Sequence, residues 1–196
     1  MFVRNESFKG FLHAYPVVST IVAINIVLFL LCTFPLSPFS NIENALLGVN
    51  FAIYQGEYWR WVTSIFLHVS FSHILFNMFT LIIIGPAAER ILKPTRFLFV
   101  YFASGVGANI IAYFIKPLGY AYLGASGAIF GLLGFFIFCV IKRPYMFSYH
   151  NKRTIQGFAI ISLIMTFLTP NVGIIAHLGG FALGFITANA LLAKRS

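Results

Sequence analysis

Aspartate is absent from the 196 residues, and the acidic side chains are only Glu6, Glu43, Glu57 and Glu89. That scarcity excludes two-aspartate catalysis, a carboxylate-rich calcium site and an ordinary two-carboxylate hydrolase centre. Cysteine is rarer still. Cys32 and Cys139 both stand inside apolar runs, which argues against a disulfide framework or a cysteine metal knuckle. Charge of either sign is sparse, at 9% of residues, while hydrophobic residues reach 60%. A soluble domain carries about 25% and 45–50% respectively. A soluble chain this short cannot hide so much apolar surface or stay dispersed with so little charge. A bilayer removes both difficulties, so the composition predicts an all-α, polytopic membrane protein.

Six apolar runs have roughly the length that crosses ~30 Å of hydrocarbon. They are Val17–Phe34, Phe71–Ala88, Phe97–Ile115, Ser126–Ile141, Ile155–Thr169 and Ile174–Leu192. Lipid leaves no partner for an open backbone, so all six are predicted as helices. The fourth and fifth are short, which suggests ends that lean on protein. Domain organisation follows: a short amino-terminal segment 1–16, a membrane domain 17–192 and a tail 193–196. The first run is too long for a cleavable signal peptide and lacks an A-x-A-like end.

Net charge is +9, which in a soluble protein would suggest nucleic acid. Its distribution points elsewhere. The side holding both termini carries Arg4, Lys9, Arg90, Lys93, Arg96, Lys142, Arg143, Lys152, Arg153, Lys194 and Arg195, and the other side carries only Arg60 and Lys116. This asymmetry places both termini in the cytoplasm, facing an anionic leaflet. With a short amino terminus and no visible transit peptide, a plasma membrane, or bacterial inner membrane, is expected. The first outer segment, about Pro35 to Val62, holds Tyr54, Tyr58, Trp59 and Trp61. It reads as a partly helical loop in the outer interface.

Polar residues inside such apolar spans are informative, because each is costly there. His68, His73, Asn77, Ser126 and His177 lie at or within spans, as does Asn25, which reads as interhelical glue. His73, Ser126 and His177 stand 16, 16 and 17 residues before Glu89, Lys142 and Lys194. At 1.5 Å per residue each lies roughly 24–26 Å from the cytoplasmic boundary. All three spans run inward, so the three residues share one level near the outer face. Gly127-x-x-x-Gly131 and Gly180-x-x-x-Gly184 follow Ser126 and His177 directly, and small-xxx-small patterns let helices approach closely.

If those faces meet, hydroxyl and imidazole come within reach. A serine becomes nucleophilic when a histidine takes its proton. No carboxylate is placed to complete a triad, which leaves a Ser126–His177 dyad. His73 and Asn77, with the Ser126 N–H, are candidate oxyanion donors. Other readings of the same residues are back-bonding of the serine, histidines as interhelical glue, or a histidine-held metal or haem iron. Against zinc, there is no H-E-x-x-H helix, and His68 and His73 are five apart.

The ordered motifs resemble the rhomboid intramembrane serine proteases. Gly124-Ala125-Ser126-Gly127 is similar to the family's G-x-S-G nucleophile motif, and Ala176-His177-Leu178-Gly179-Gly180-Phe181-Ala182-Leu183-Gly184 to its A-H-x-x-G-x-x-x-G motif. His68 to Asn77 resembles the second-span pattern in which the later histidine, here His73, and the asparagine assist the oxyanion. Trp59-Arg60 and Glu89-Arg90 match two further pairs.

The resemblance implies six transmembrane helices around a polar cavity open to the outside, with transmembrane protein substrates cut near their outer ends. It implies no cofactor and no metal, and supporting roles for His68, Gly124, Gly127, Phe130, Gly180 and Gly184. The fifth span and the loop Pro170–Gly173 would form the gate. Phe130 stands where many relatives carry Tyr; its ring can stack on His177 but offers no hydroxyl. A rhomboid-like protein that only binds membrane clients would be expected to lack Ser126 or His177. Partners are therefore membrane-embedded substrates and lipid, with no nucleic acid.

Overall fold

The computed structural model describes residue 2 and residues 5–33, 41–169 and 172–192. Outside them lie the tail 193–196, residues 170 and 171 of the loop expected as part of the gate, the start of the first outer segment, and the basic residues Arg4, Lys194 and Arg195. In chain order the elements are α1 (Phe8–Ala14), α2 (Pro16–Thr33), α3 (Ile42–Leu46), β1 (Gly48–Val49), α4 (Asn50–Tyr54), α5 (Arg60–Thr63), α6 (Phe71–Leu92), α7 (Pro94–Ile115), β2 (Ala121–Tyr122), α8 (Ser126–Lys142), α9 (Tyr149–Leu168) and α10 (Ile174–Leu192). The six apolar runs correspond to α2, α6, α7, α8, α9 and α10. Among the described residues, α2, α6, α7 and α10 are long and apolar enough to cross a membrane by themselves.

The two spans read as short behave oppositely. Helix α8, 17 residues long, is buried along nearly its whole length, from Gly127 to Cys139, at the centre of the bundle. Helix α9 is 20 residues long and begins six residues before its apolar run, because Ser148 caps it by accepting from the Asn151 N–H at 3.3 Å. Its first turns are polar, so hydropathy does not register them. Far from leaning on protein, α9 buries only Ile155, Ala159 and Thr166.

Glycine decides how α8 meets α10. A Cβ on Gly180 would be driven into the Gly127 carbonyl, and one on Gly184 into the Gly131 carbonyl. The two small-residue patterns therefore face each other, and their backbones touch. On the other flank, a Cβ on Gly105 of α7 would lie 3.0 Å from the Ala128 Cβ. Leu132, Leu133, Phe135 and Phe136 of α8 then fill the core with Phe97, Val100 and Tyr101 of α7 and Leu81 of α6.

At the opposite end from Ser126, Glu89 is 3% exposed and accepts the Val17 and Val18 N–H groups at 3.1 and 2.9 Å. Those are orphan donors of the first turn of α2, and a carboxylate is favoured there by the helix dipole. This explains why α6 continues four residues beyond its apolar run. Arg90 donates to the Tyr15 hydroxyl beside it. Asn25, read as interhelical glue, instead donates to Ile21 O of its own helix at 2.7 Å.

The first outer segment is partly helical and is clipped to the loop that precedes Ser126. Strands β1 and β2 pair antiparallel, with Gly48 opposite Tyr122 and Val49 opposite Ala121. Asn50 N–H donates to Tyr120 O at 3.0 Å, and Phe51 N–H to Leu118 O at 2.8 Å. Arg60, buried, pairs with Glu57 and donates to Asn44 O and Leu47 O, both at 2.7 Å. Tyr54, Tyr58 and Trp59 face outward, as an interfacial belt requires. Trp61 does not join them; it turns inward, with its ring stacked on Tyr58 and edge-on to Tyr113.

Candidate active site

Three spans deliver polar residues to one end of the bundle. Ser126 is the first residue of α8, His73 the third of α6 and His177 the fourth of α10. Ser126 enters its helix from Gly124, whose φ of 116° is a conformation that suits glycine. The Gly124 N–H donates to Ser64 O at 2.9 Å, and Asn109 of α7 donates to Trp61 O at 2.8 Å and to Ser64 Oγ at 3.2 Å. The loop before Ser126 is thus tied to Ser64, which Asn109 holds in turn.

Gly124 has a second reason to be glycine. A Cβ there would sit 2.8 Å from His73 Nε2 and 3.9 Å from Ser126 Oγ. Only a bare backbone lets imidazole and hydroxyl border the same small space. That space opens into a cavity of about 400 Å³ lined by His73, Gly124, Ser126 and Gly127 together with Glu43 and Asn109. Tyr120 and Tyr122 complete one wall, and burial, with Tyr120 beside it, pushes the Tyr122 hydroxyl above its ordinary pKa, so it stays protonated.

His177 lies just behind the lining, next to Ala176, which does reach the cavity. Its ring is stacked on Phe130, and its Nδ1 is 2.8 Å from the Thr166 hydroxyl. Nε2 is therefore the nitrogen left for Ser126. Among the described residues the Ser126–His177 hydrogen bond is not closed, and catalytic bonds are often long before substrate arrives. The Ser126 N–H, at the start of α8, has no acceptor within the helix.

Asn77 is buried and donates to His73 O at 2.9 Å, which commits one of its two amide hydrogens. His68 is buried, with its ring edge-on to His73 at 4.8 Å. It supports the His73 ring and does not line the cavity. Among the described residues no three His, Cys, Asp or Glu side chains gather as metal ligands.

Sequence reasoning overlooked Thr166, Asn109 and Ser64, and set aside Glu43, which lines the cavity, as a loop residue. Asn109 carried the same signal as Asn77, a polar residue in an apolar span. Thr166 carried less, because a span threonine usually bonds back to its own helix, as this one does to Ser162 O at 2.9 Å.

The Rhomboid domain family model matches residues 55–194. YdcA of Bacillus subtilis (strain 168), a rhomboid by name, is 37% identical over 195 residues, which span 100% of this chain and 98% of that protein. Rhomboid protease GluP of the same organism is 38% identical over 142 residues, 72% of this chain but 28% of that longer protein. Rhomboid-like protease 1 of Toxoplasma gondii is 35% identical over 161 residues, 77% of this chain and 53% of the relative.

Proposed function

This chain belongs to the rhomboid family of multi-pass membrane proteins, and from that premise we propose that it is an intramembrane serine endopeptidase. It cleaves transmembrane segments of other membrane proteins near their outer ends, through a Ser126–His177 dyad and an acyl-enzyme. The observation that carries the reading is the interlocking of Gly127 and Gly131 with Gly180 and Gly184, which holds the helix of Ser126 against the helix of His177 at one level beside a cavity.

Ser126 Oγ attacks the scissile carbonyl carbon while His177 Nε2 takes its proton. The oxyanion is met by the Ser126 N–H, the His73 imidazole and the remaining amide hydrogen of Asn77. Collapse returns the proton from His177 to the leaving amine, and water then repeats the sequence on the ester. No metal or cofactor takes part in these steps. Since scission needs an extended backbone, substrates with helix-breaking residues near the cut are favoured. Both termini lie in the cytoplasm by the distribution of basic residues, which sets the cavity toward the outer face of a bacterial plasma membrane.

Fluorophosphonate labelling of the purified protein tests this reading, with Ser126→Ala and His177→Ala alongside. Labelling of wild type alone, together with cleavage of a reconstituted transmembrane substrate, is the expected result. A folded wild type that neither labels nor cleaves would make the chain a binder of membrane clients.

A further inference from the structure

Thr166 has a role that its chemistry and placement both specify. Its hydroxyl lies 2.9 Å from Ser162 O, an acceptor with no hydrogen to give, so that bond forms only with the Thr166 hydrogen. The same oxygen lies 2.8 Å from His177 Nδ1. Both contacts are satisfied at once only when that hydrogen goes to Ser162 O and Thr166 Oγ accepts from the ring. In that arrangement Nδ1 carries the hydrogen and Nε2 the lone pair.

We infer that Thr166 is the positioning residue of the catalytic base, occupying the place where soluble serine hydrolases use a carboxylate. The inference rests on the dyad proposed above. Unlike a carboxylate, a hydroxyl orients the ring and selects its tautomer without adding a second charge to a lipid-embedded site, where charge is costly. The relay runs Ser162 O, Thr166 Oγ, His177 Nδ1, with Phe130 holding the ring plane from one face.

The location of Thr166 gives the contact a further consequence. Between Ile160 and Leu168, Thr166 is the one buried residue, while Ile160, Ile161, Ile164, Met165, Phe167 and Leu168 are exposed. The outer half of α9 is thus attached to the bundle at the hydroxyl that orients the base. If α9 swings away, the tautomer lock opens with it.

Thr166→Val keeps the side-chain shape and removes the bond, and Thr166→Ser restores a hydroxyl. The readouts are the ¹⁵N shifts of the His177 ring, kcat and KM on a reconstituted substrate, and the fluorophosphonate labelling rate. Wild-type His177 is expected to hold its hydrogen on Nδ1. Thr166→Val should mix the tautomers and lower kcat and labelling on the order of 10- to 100-fold, the usual cost of losing an orienting partner, with KM nearly unchanged. Thr166→Ser should recover most of the loss.

A wild-type ring with its hydrogen on Nε2 overturns the inference, whatever the folding of the variants. So does a folded Thr166→Val with wild-type tautomer and kcat. Absence of labelling in wild type would instead strike at the protease reading, and the ring shifts would still decide the Thr166 contact.

Discussion

The Phe130 ring lies nearly flat on the His177 imidazole, with centroids 4.2 Å apart and planes 15° from parallel. It restrains the His177 ring in the rotation that the Thr166 contact leaves loose. Such pairs are worth about 0.5–1.5 kcal/mol beyond their buried area, so the stack is a modest but direct contributor to alignment. Phe130→Leu should therefore lower kcat by about 2- to 10-fold. Phe130→Tyr, which keeps the stack, should stay close to wild type. Steady-state cleavage in proteoliposomes distinguishes the two, and equal losses in both would argue against alignment through the ring face.

His73 borders the same space as Ser126 Oγ, across Gly124. If it donates to the oxyanion, His73→Ala should lower kcat on the order of 10²–10³-fold, as removal of one such donor does elsewhere. KM should change little, because the donor acts on charge that develops only in the transition state. A variant with unchanged kcat would restrict the oxyanion site to the Ser126 N–H and Asn77.

Gly184 has no room for even a methyl group against Gly131. Gly184→Ala is expected to push α8 and α10 apart and to cost about 1–3 kcal/mol, as overpacking does. A displacement near 1 Å can lower rates on the order of 10²-fold, so labelling of the folded fraction should fall as well. Thermal unfolding in detergent and the labelling rate, measured on one sample, test both halves; wild-type values for both would mean the helices do not meet here.

Glu89 sits at the far end, where its carboxylate takes two N–H groups of α2. Hydrogen bonds to a charged group are worth about 1.5–3 kcal/mol, so Glu89→Ala should unfold at clearly lower temperature. The folded fraction should keep its kcat. A fall in kcat without a fall in stability would give Glu89 a functional role that this geometry does not contain.

The places where sequence reasoning succeeded share a physical cause. Spans are legible because lipid tolerates only long apolar helices, and α2, α7 and α10 follow their apolar runs closely. His73, Ser126 and His177 stood out because polar groups are rare at that depth. The two glycine patterns were legible as places where helices can approach closely, and the structure shows that they face each other.

What the sequence by itself determined is the all-helical membrane class and the shared level of His73, Ser126 and His177. Only the tertiary structure decided that Trp61 turns inward. It alone joined Ser64 to the loop before Ser126 and Asn109 to Ser64, and brought Thr166 to His177. The reason is that hydropathy and spacing report a residue's depth and helix face, whereas a hydrogen bond between helices depends on their rotation and crossing. Those are set by packing across the whole bundle, and no local run of residues carries them.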